Sequence, residues 1–121
     1  MDVALWIVTG FLAATFAGTG IIKLTQPIQV LVERGMGFAE DLTPHQIRTI
    51  GAAEVLAAIA LVVPLLLHIA GILSPLAAIG LVLLMIGAVI THARRQELQP
   101  ALVAAALLAM AGFVAWGRLA P

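Results

Sequence analysis

The sequence contains no cysteine. Thiol–disulfide chemistry within the chain and a cysteine-ligated metal are therefore excluded. Charge is nearly as scarce, with six basic and six acidic side chains in 121 residues and no formal net charge. Sparse, balanced charge leaves no basic face for a phosphate backbone, so nucleic acid is not expected as a partner. The three histidines, His45, His68 and His92, lack the close pair spacing of a metal or haem site, and no metal is expected. His45 and His68 read as residues at the edges of apolar helices, at opposite interfaces.

What is present instead is apolar surface. The chain is 63% hydrophobic and 10% charged, with mean hydropathy +1.16. A soluble domain of this length cannot cover so much, so its solvent is the lipid bilayer. Four apolar runs, Val3–Ile22, Thr49–Leu67, Ile69–Thr91 and Pro100–Gly117, are each long enough to cross ~30 Å of hydrocarbon at about 1.5 Å per residue. The fold class expected is all-α: an integral membrane four-helix bundle with antiparallel up-down topology. It forms a single transmembrane domain over residues 1–121, with spans at 3–24, 45–67, 72–93 and 99–118. The first run has Asp2 in place of a basic n-region and is followed by further spans, so it reads as a span and not a cleavable signal peptide.

Local signals set the boundaries. Thr25-Gln26-Pro27 breaks the first helix, because proline cannot continue the hydrogen-bond ladder. In the polar stretch Ile28–Asp41, the residues Ile28, Leu31 and Val32 share one face, which predicts a short interfacial helix; an ordinary loop is the alternative. Thr43-Pro44-His45-Gln46 offers an N-cap, a proline at the first helical position and a glutamine placed for a capping box. Ser74-Pro75 reads as a second cap of the same kind, and Pro64 as a kink or a last turn. Small residues at Gly10, Ala14, Ala17 and Gly18, and at Gly80 and Gly87, predict close helix approach on those faces.

Four spans bring both termini to one side. Lys23, Arg34, Arg48, Arg94 and Arg95 fall on the other, against Arg118 alone on the terminal side. The positive-inside rule therefore places the charged connections in the cytoplasm and both termini outside it. Trp6 and Trp116 meet at the terminal interface, as an aromatic belt requires. Arg94 and Arg95 read as topology determinants, with a phosphate or lipid headgroup as the alternative contact. Met36, Met85 and Met110 read as packing residues.

Glu54 is the anomaly. It lies in GAAEVLAAIALVV, with no other ionisable side chain between Arg48 and His68. A charge inside a membrane helix costs at least ~2.5 kcal/mol and needs a partner or a use. Six residues past Arg48, it is roughly 9 Å deeper along the helix, level with Ala17, Ala88 and Ala106, which cannot pair with it. Helical side chains lean toward their own N-terminus, so Glu54 leans toward the charged interface while Lys23 and His92 lean inward from it. Snorkelling opposes this for Lys23, which makes His92 the more reliable partner in a trio of Lys23, Glu54 and His92. Thr19, Arg48 and Thr91 complete the cluster. Three uses of Glu54 stay open: an ion pair that fastens the bundle, a polar pocket for a lipophilic ligand, and a neutral acid facing lipid.

The segments FAGTGIIKL (16–24), RTIGAAEVLAAIALVVP (48–64) and GLVLLMIGAVITHARR (80–95), with the spacing between them, resemble the DoxX-like family of small four-helix membrane proteins. The resemblance implies a bacterial inner-membrane bundle in which Lys23, Glu54 and His92 are the positions to test. The family takes its name from a subunit of a thiosulfate:quinone oxidoreductase; some members are linked to oxidative-stress complexes, and distant animal relatives act as receptor-assembly chaperones. The missing cysteines mean that any sulfur redox step belongs to a partner subunit.

The leading expectation is thus a redox-associated membrane subunit binding a lipophilic molecule such as a quinone. Glu54 and His92 would handle protons, and Lys23, Glu54, His92, Thr19, Thr91 and Arg48 would line the ligand site. The alternative is a chaperone or assembly subunit that docks partner helices, as a homo-oligomer or with a redox partner. A small dimeric transporter ranks lower, because exporters of this size carry their glutamate in the first span. A membrane enzyme working by Glu/His proton transfer is the remaining reading.

Overall fold

The computed structural model describes residues 2–120. Helix α1 spans Asp2–Thr25, a short α2 spans Ile28–Glu33, and a 3₁₀ turn follows at Gly37–Asp41. Helices α3 (Pro44–Leu67), α4 (Leu73–Arg94) and α5 (Leu98–Leu119) complete the chain. The four long helices are each long and apolar enough to cross a membrane. The protein is an all-α, multi-pass membrane bundle, and the short helix expected after the first span is present.

The helices start and stop where backbone chemistry requires. Thr43 Oγ1 accepts from Gln46 N at 3.1 Å while Gln46 Oε1 accepts from Thr43 N at 2.9 Å, closing the expected capping box on α3. Pro64 sits inside α3, which runs three residues further before His68 closes it in the left-handed region (φ 54). The second expected cap is corrected. Helix α4 starts at Leu73 without a side-chain cap, and Ser74, fully buried, donates to the carbonyl of Leu61 at 2.7 Å. Its hydroxyl fastens α4 to α3 because the connection between them is too tight to leave Ser74 outside the first turn.

Around the bundle the order is α1, α3, α4, α5. Helices α1 and α3 pack most closely, as do α4 and α5, while the α3/α4 and α1/α5 seams are looser. Leu12, Phe16, Leu61, Leu81, Ala111 and Val114 form the centre of the main core. A second, small core of Leu31, Ala39 and Ile47 lies under α2 and the 3₁₀ turn. Val3, Leu56, Leu83 and Leu102 are exposed, as side chains that face lipid should be.

The close helix approach lies elsewhere than the small-residue pattern predicts. A Cβ on Gly10, Gly18, Gly80 or Gly87 would meet nothing within 4 Å. The tight contact is between Gly20 and Gly51: a Cβ on Gly20 would lie 2.7 Å from the Gly51 carbonyl oxygen, and one on Gly51 would lie 2.9 Å from that of Gly20. Only glycine lets the α1 and α3 backbones come this near.

Candidate functional site

That contact positions the buried charge. Thr19 and Lys23 are one turn apart on α1, on either side of Gly20, and Glu54 is three residues beyond Gly51 on α3. With the two backbones touching, Lys23 Nζ reaches Glu54 Oε1 at 2.5 Å and Thr19 Oγ1 donates to Oε2 at 3.1 Å. Glu54 is 2% exposed and Lys23 8%. Both carboxylate oxygens are satisfied, as a charge removed from water requires.

The expected Glu54–His92 pair is corrected. His92 Nδ1 meets Glu97 Oε1 at 2.8 Å, across the turn between α4 and α5. Lys23 has no need to snorkel, because the Gly20–Gly51 approach places a carboxylate within its reach. Arg48 is also corrected as a lining residue: its guanidinium donates to the carbonyls of Lys23 and Gln26 and closes the carboxyl end of α1. Thr91 turns its hydroxyl onto the Gly87 carbonyl at 2.8 Å while lining one of the cavities below.

Two cavities flank the buried pair. One, of 430 Å³, lies in the α3/α4 seam, lined by Ile50, Leu84, Gly87 and Thr91, with Asp41, Arg94 and Arg95 at the interface. The other, of 360 Å³, lies in the α1/α5 seam, lined by Thr15, Thr19, Gln99, Val103 and Leu107. Lys23, Phe38, Glu54, Met85, Ala88 and His92 line both. Among the described residues no group of three or more His, Asp or Glu side chains could hold a metal ion.

Phe38, Asp41 and Glu97 join the site from outside the predicted cluster. The Phe38 ring packs edge-on to His92, with centroids 5.7 Å apart, and Lys23 Nζ lies 5.7 Å from its centre. The sequence did hold a signal, since Phe38 is the lone aromatic of the polar stretch Ile28–Asp41. Arg95 bonds Asp41 Oδ2 at 2.5 Å and Glu97 Oε2 at 3.3 Å, tying the 3₁₀ turn to the end of α4. The hydrogen bond from His92, followed by that from Arg95, holds the Glu97 carboxyl below its usual value, and those to Asp41 and Glu97 push the Arg95 guanidinium up.

No curated protein and no solved structure matches the chain. A family model does, over residues 7–114, a stretch that contains Thr19, Lys23, Phe38, Glu54 and His92 together with the greater part of all four long helices. On that match the chain belongs to the DoxX-like family.

Proposed function

We propose that the protein binds a small, electrically neutral lipophilic molecule whose polar end meets Lys23 and Glu54, with a quinone or quinol as the chemistry that fits best. The observation that carries this reading is a buried, mutually neutralised ion pair flanked by cavities with mainly apolar walls. A net charge added beside the pair would go uncompensated, which selects a neutral head. Each carboxylate oxygen holds two lone pairs and the ammonium three donors, so the pair keeps capacity to accept from a hydroxyl and donate to a carbonyl. His92, with Nδ1 committed to Glu97, has Nε2 left for the same ligand. Glu54 is the group placed to take or return a hydroxyl proton.

In this reading the chain is a redox-associated subunit of a bacterial inner membrane. The end bearing Lys23, Arg48, Arg94 and Arg95 lies in the cytoplasm and both termini lie outside. The test is equilibrium binding of a decyl-substituted benzoquinone and its quinol to protein in lipid nanodiscs. Glu54→Gln should weaken binding about tenfold or more, the scale of a lost hydrogen bond to a charged group. Equal affinity in wild type and variant would sink the reading.

One observation favours a second reading. Gly10, Ala14 and Gly18 are exposed on the outer face of α1, four residues apart, with open space over both glycines. A partner helix could dock there, as an assembly subunit requires. This predicts that Gly10→Leu and Gly18→Leu abolish complex formation while Glu54→Gln leaves it intact.

A further inference from the structure

The two cavities have separate outer walls and a common inner one. Of the six residues lining both, Phe38 is the only one that does not belong to a membrane-spanning helix. Its ring comes from the 3₁₀ turn to the wall the chambers share, T-shaped against His92 and 5.7 Å from the Lys23 ammonium, two contacts that aromatic rings favour. The turn behind it meets Arg95 at the C-cap of α4. Asp41 is bonded to Arg95, and a Cβ on Gly37 would come 2.8 Å from Arg95 Nη2. Phe38 is half-buried.

We infer that Phe38 is the specificity-determining residue of the site: a partition that admits a ligand with one apolar arm and rejects one with two. The inference rests on the binding reading above and concerns the shape of what is bound. A molecule whose polar end sits on Lys23 and Glu54 can extend a single tail into either chamber with the ring in place. A neutral amphiphile with two chains must place one in each chamber, and both cannot leave the same head without crossing the volume the ring fills. Removing the ring joins the chambers at the level of the polar pair, where a two-armed head would sit. Met85 also lines both chambers but is buried in the main core, so its removal would disturb helix packing as well. Phe38 lies on the connection, so its ring can be removed without changing a residue of the spans.

The experiment compares two neutral probes in nanodiscs: the decyl-substituted benzoquinone, with one tail, and dioctanoylglycerol, with two. Wild type is expected to prefer the single-tailed probe by about tenfold or more. Phe38→Ala should raise affinity for dioctanoylglycerol relative to the quinone enough to erase that preference. Phe38→Trp should keep the wild-type preference. Phe38→Leu, which retains apolar bulk without the ring, should fall between and decides the matter if Phe38→Ala does not fold. A wild type that binds both probes equally, or folded Phe38 variants that keep its preference, overturns the partition. If Glu54→Gln loses both probes while those variants keep the preference, the polar site stands and the partition alone falls. Binding of neither probe to wild type overturns both readings.

Discussion

At one end of the bundle Glu54 is 2% exposed and held by a lysine and a threonine. At the other end Arg118 bonds Thr9 at 3.3 Å, lies 4.9 Å over the Trp6 ring, and keeps a buried Nε that has no partner among the described residues. Both ends carry charge among apolar helices, yet by different means. Arg118 lies in the last turn of α5 and stacks on an aromatic of the interface, an arrangement that any bundle end can reach by snorkelling. Glu54 lies three turns inside α3 and is neutralised because α1 and α3 touch at Gly20 and Gly51. A charge at a helix end is a matter of interface chemistry. A charge pair inside, built on a backbone contact and flanked by two cavities, is an arrangement that a ligand can use.

The sharpest way to break this contrast is to remove one partner at each end. Glu54→Leu leaves the Lys23 ammonium buried and alone, and should cost about 3–5 kcal/mol in reversible unfolding from mixed micelles. The double variant Lys23→Met/Glu54→Leu should recover most of that loss, because two apolar side chains of similar volume replace the pair. At the other end Arg118→Met should cost about 1 kcal/mol, a single modest hydrogen bond. Were the three variants equally stable, the two ends would not differ in kind.

A smaller effect should come from the contact beneath the pair. Gly51→Leu places a side chain against the Gly20 carbonyl and Lys23 Cβ, and should destabilise by about 1–3 kcal/mol through overpacking. Gly18→Leu, facing open space two residues away from Gly20, should leave the isolated chain as stable as wild type. The same unfolding assay reads both, and a costly Gly18→Leu would mean that the outer face of α1 is already occupied.

These glycines mark how far the sequence could be read. The four spans, the Thr43 capping box and the depth of Glu54 follow from periodicity, capping chemistry and rise per residue, and all are local. Which small residue makes the close contact is not local. Gly10, Gly18 and Gly20 are equivalent as a pattern, and only the rotation of α1 about its axis turns Gly20 inward. The partner of Glu54 hangs on the same rotation: with α1 drawn against α3, Lys23 wins over His92, whose competitor Glu97 stands five residues along on the next turn. Ser74 departs from its pattern for a related reason, since an N-cap and a buried hydroxyl beside proline look alike until the neighbouring helix is in place. Phe38 could be placed only once the connection it sits on had folded back over the bundle.

The mildest test separates the buried pair from the surface network above it. Glu97 is held below the ordinary carboxylate value of 4.5, first by His92 and then by Arg95. A depressed folded value contributes stability above 4.5 and loses it as the pH falls through the folded value, so the network should weaken only on acidification. The exposed setting keeps the effect small and local. Amide exchange in the 3₁₀ turn Gly37–Asp41, corrected for intrinsic rates, should quicken in acid, while exchange in the middle of α3 stays unchanged. Glu97→Gln should show the faster turn exchange at neutral pH and little further change in acid. If the turn and α3 instead loosen together, the network at the interface and the pair beneath it are one cooperative unit, and Phe38 moves with the bundle as a whole.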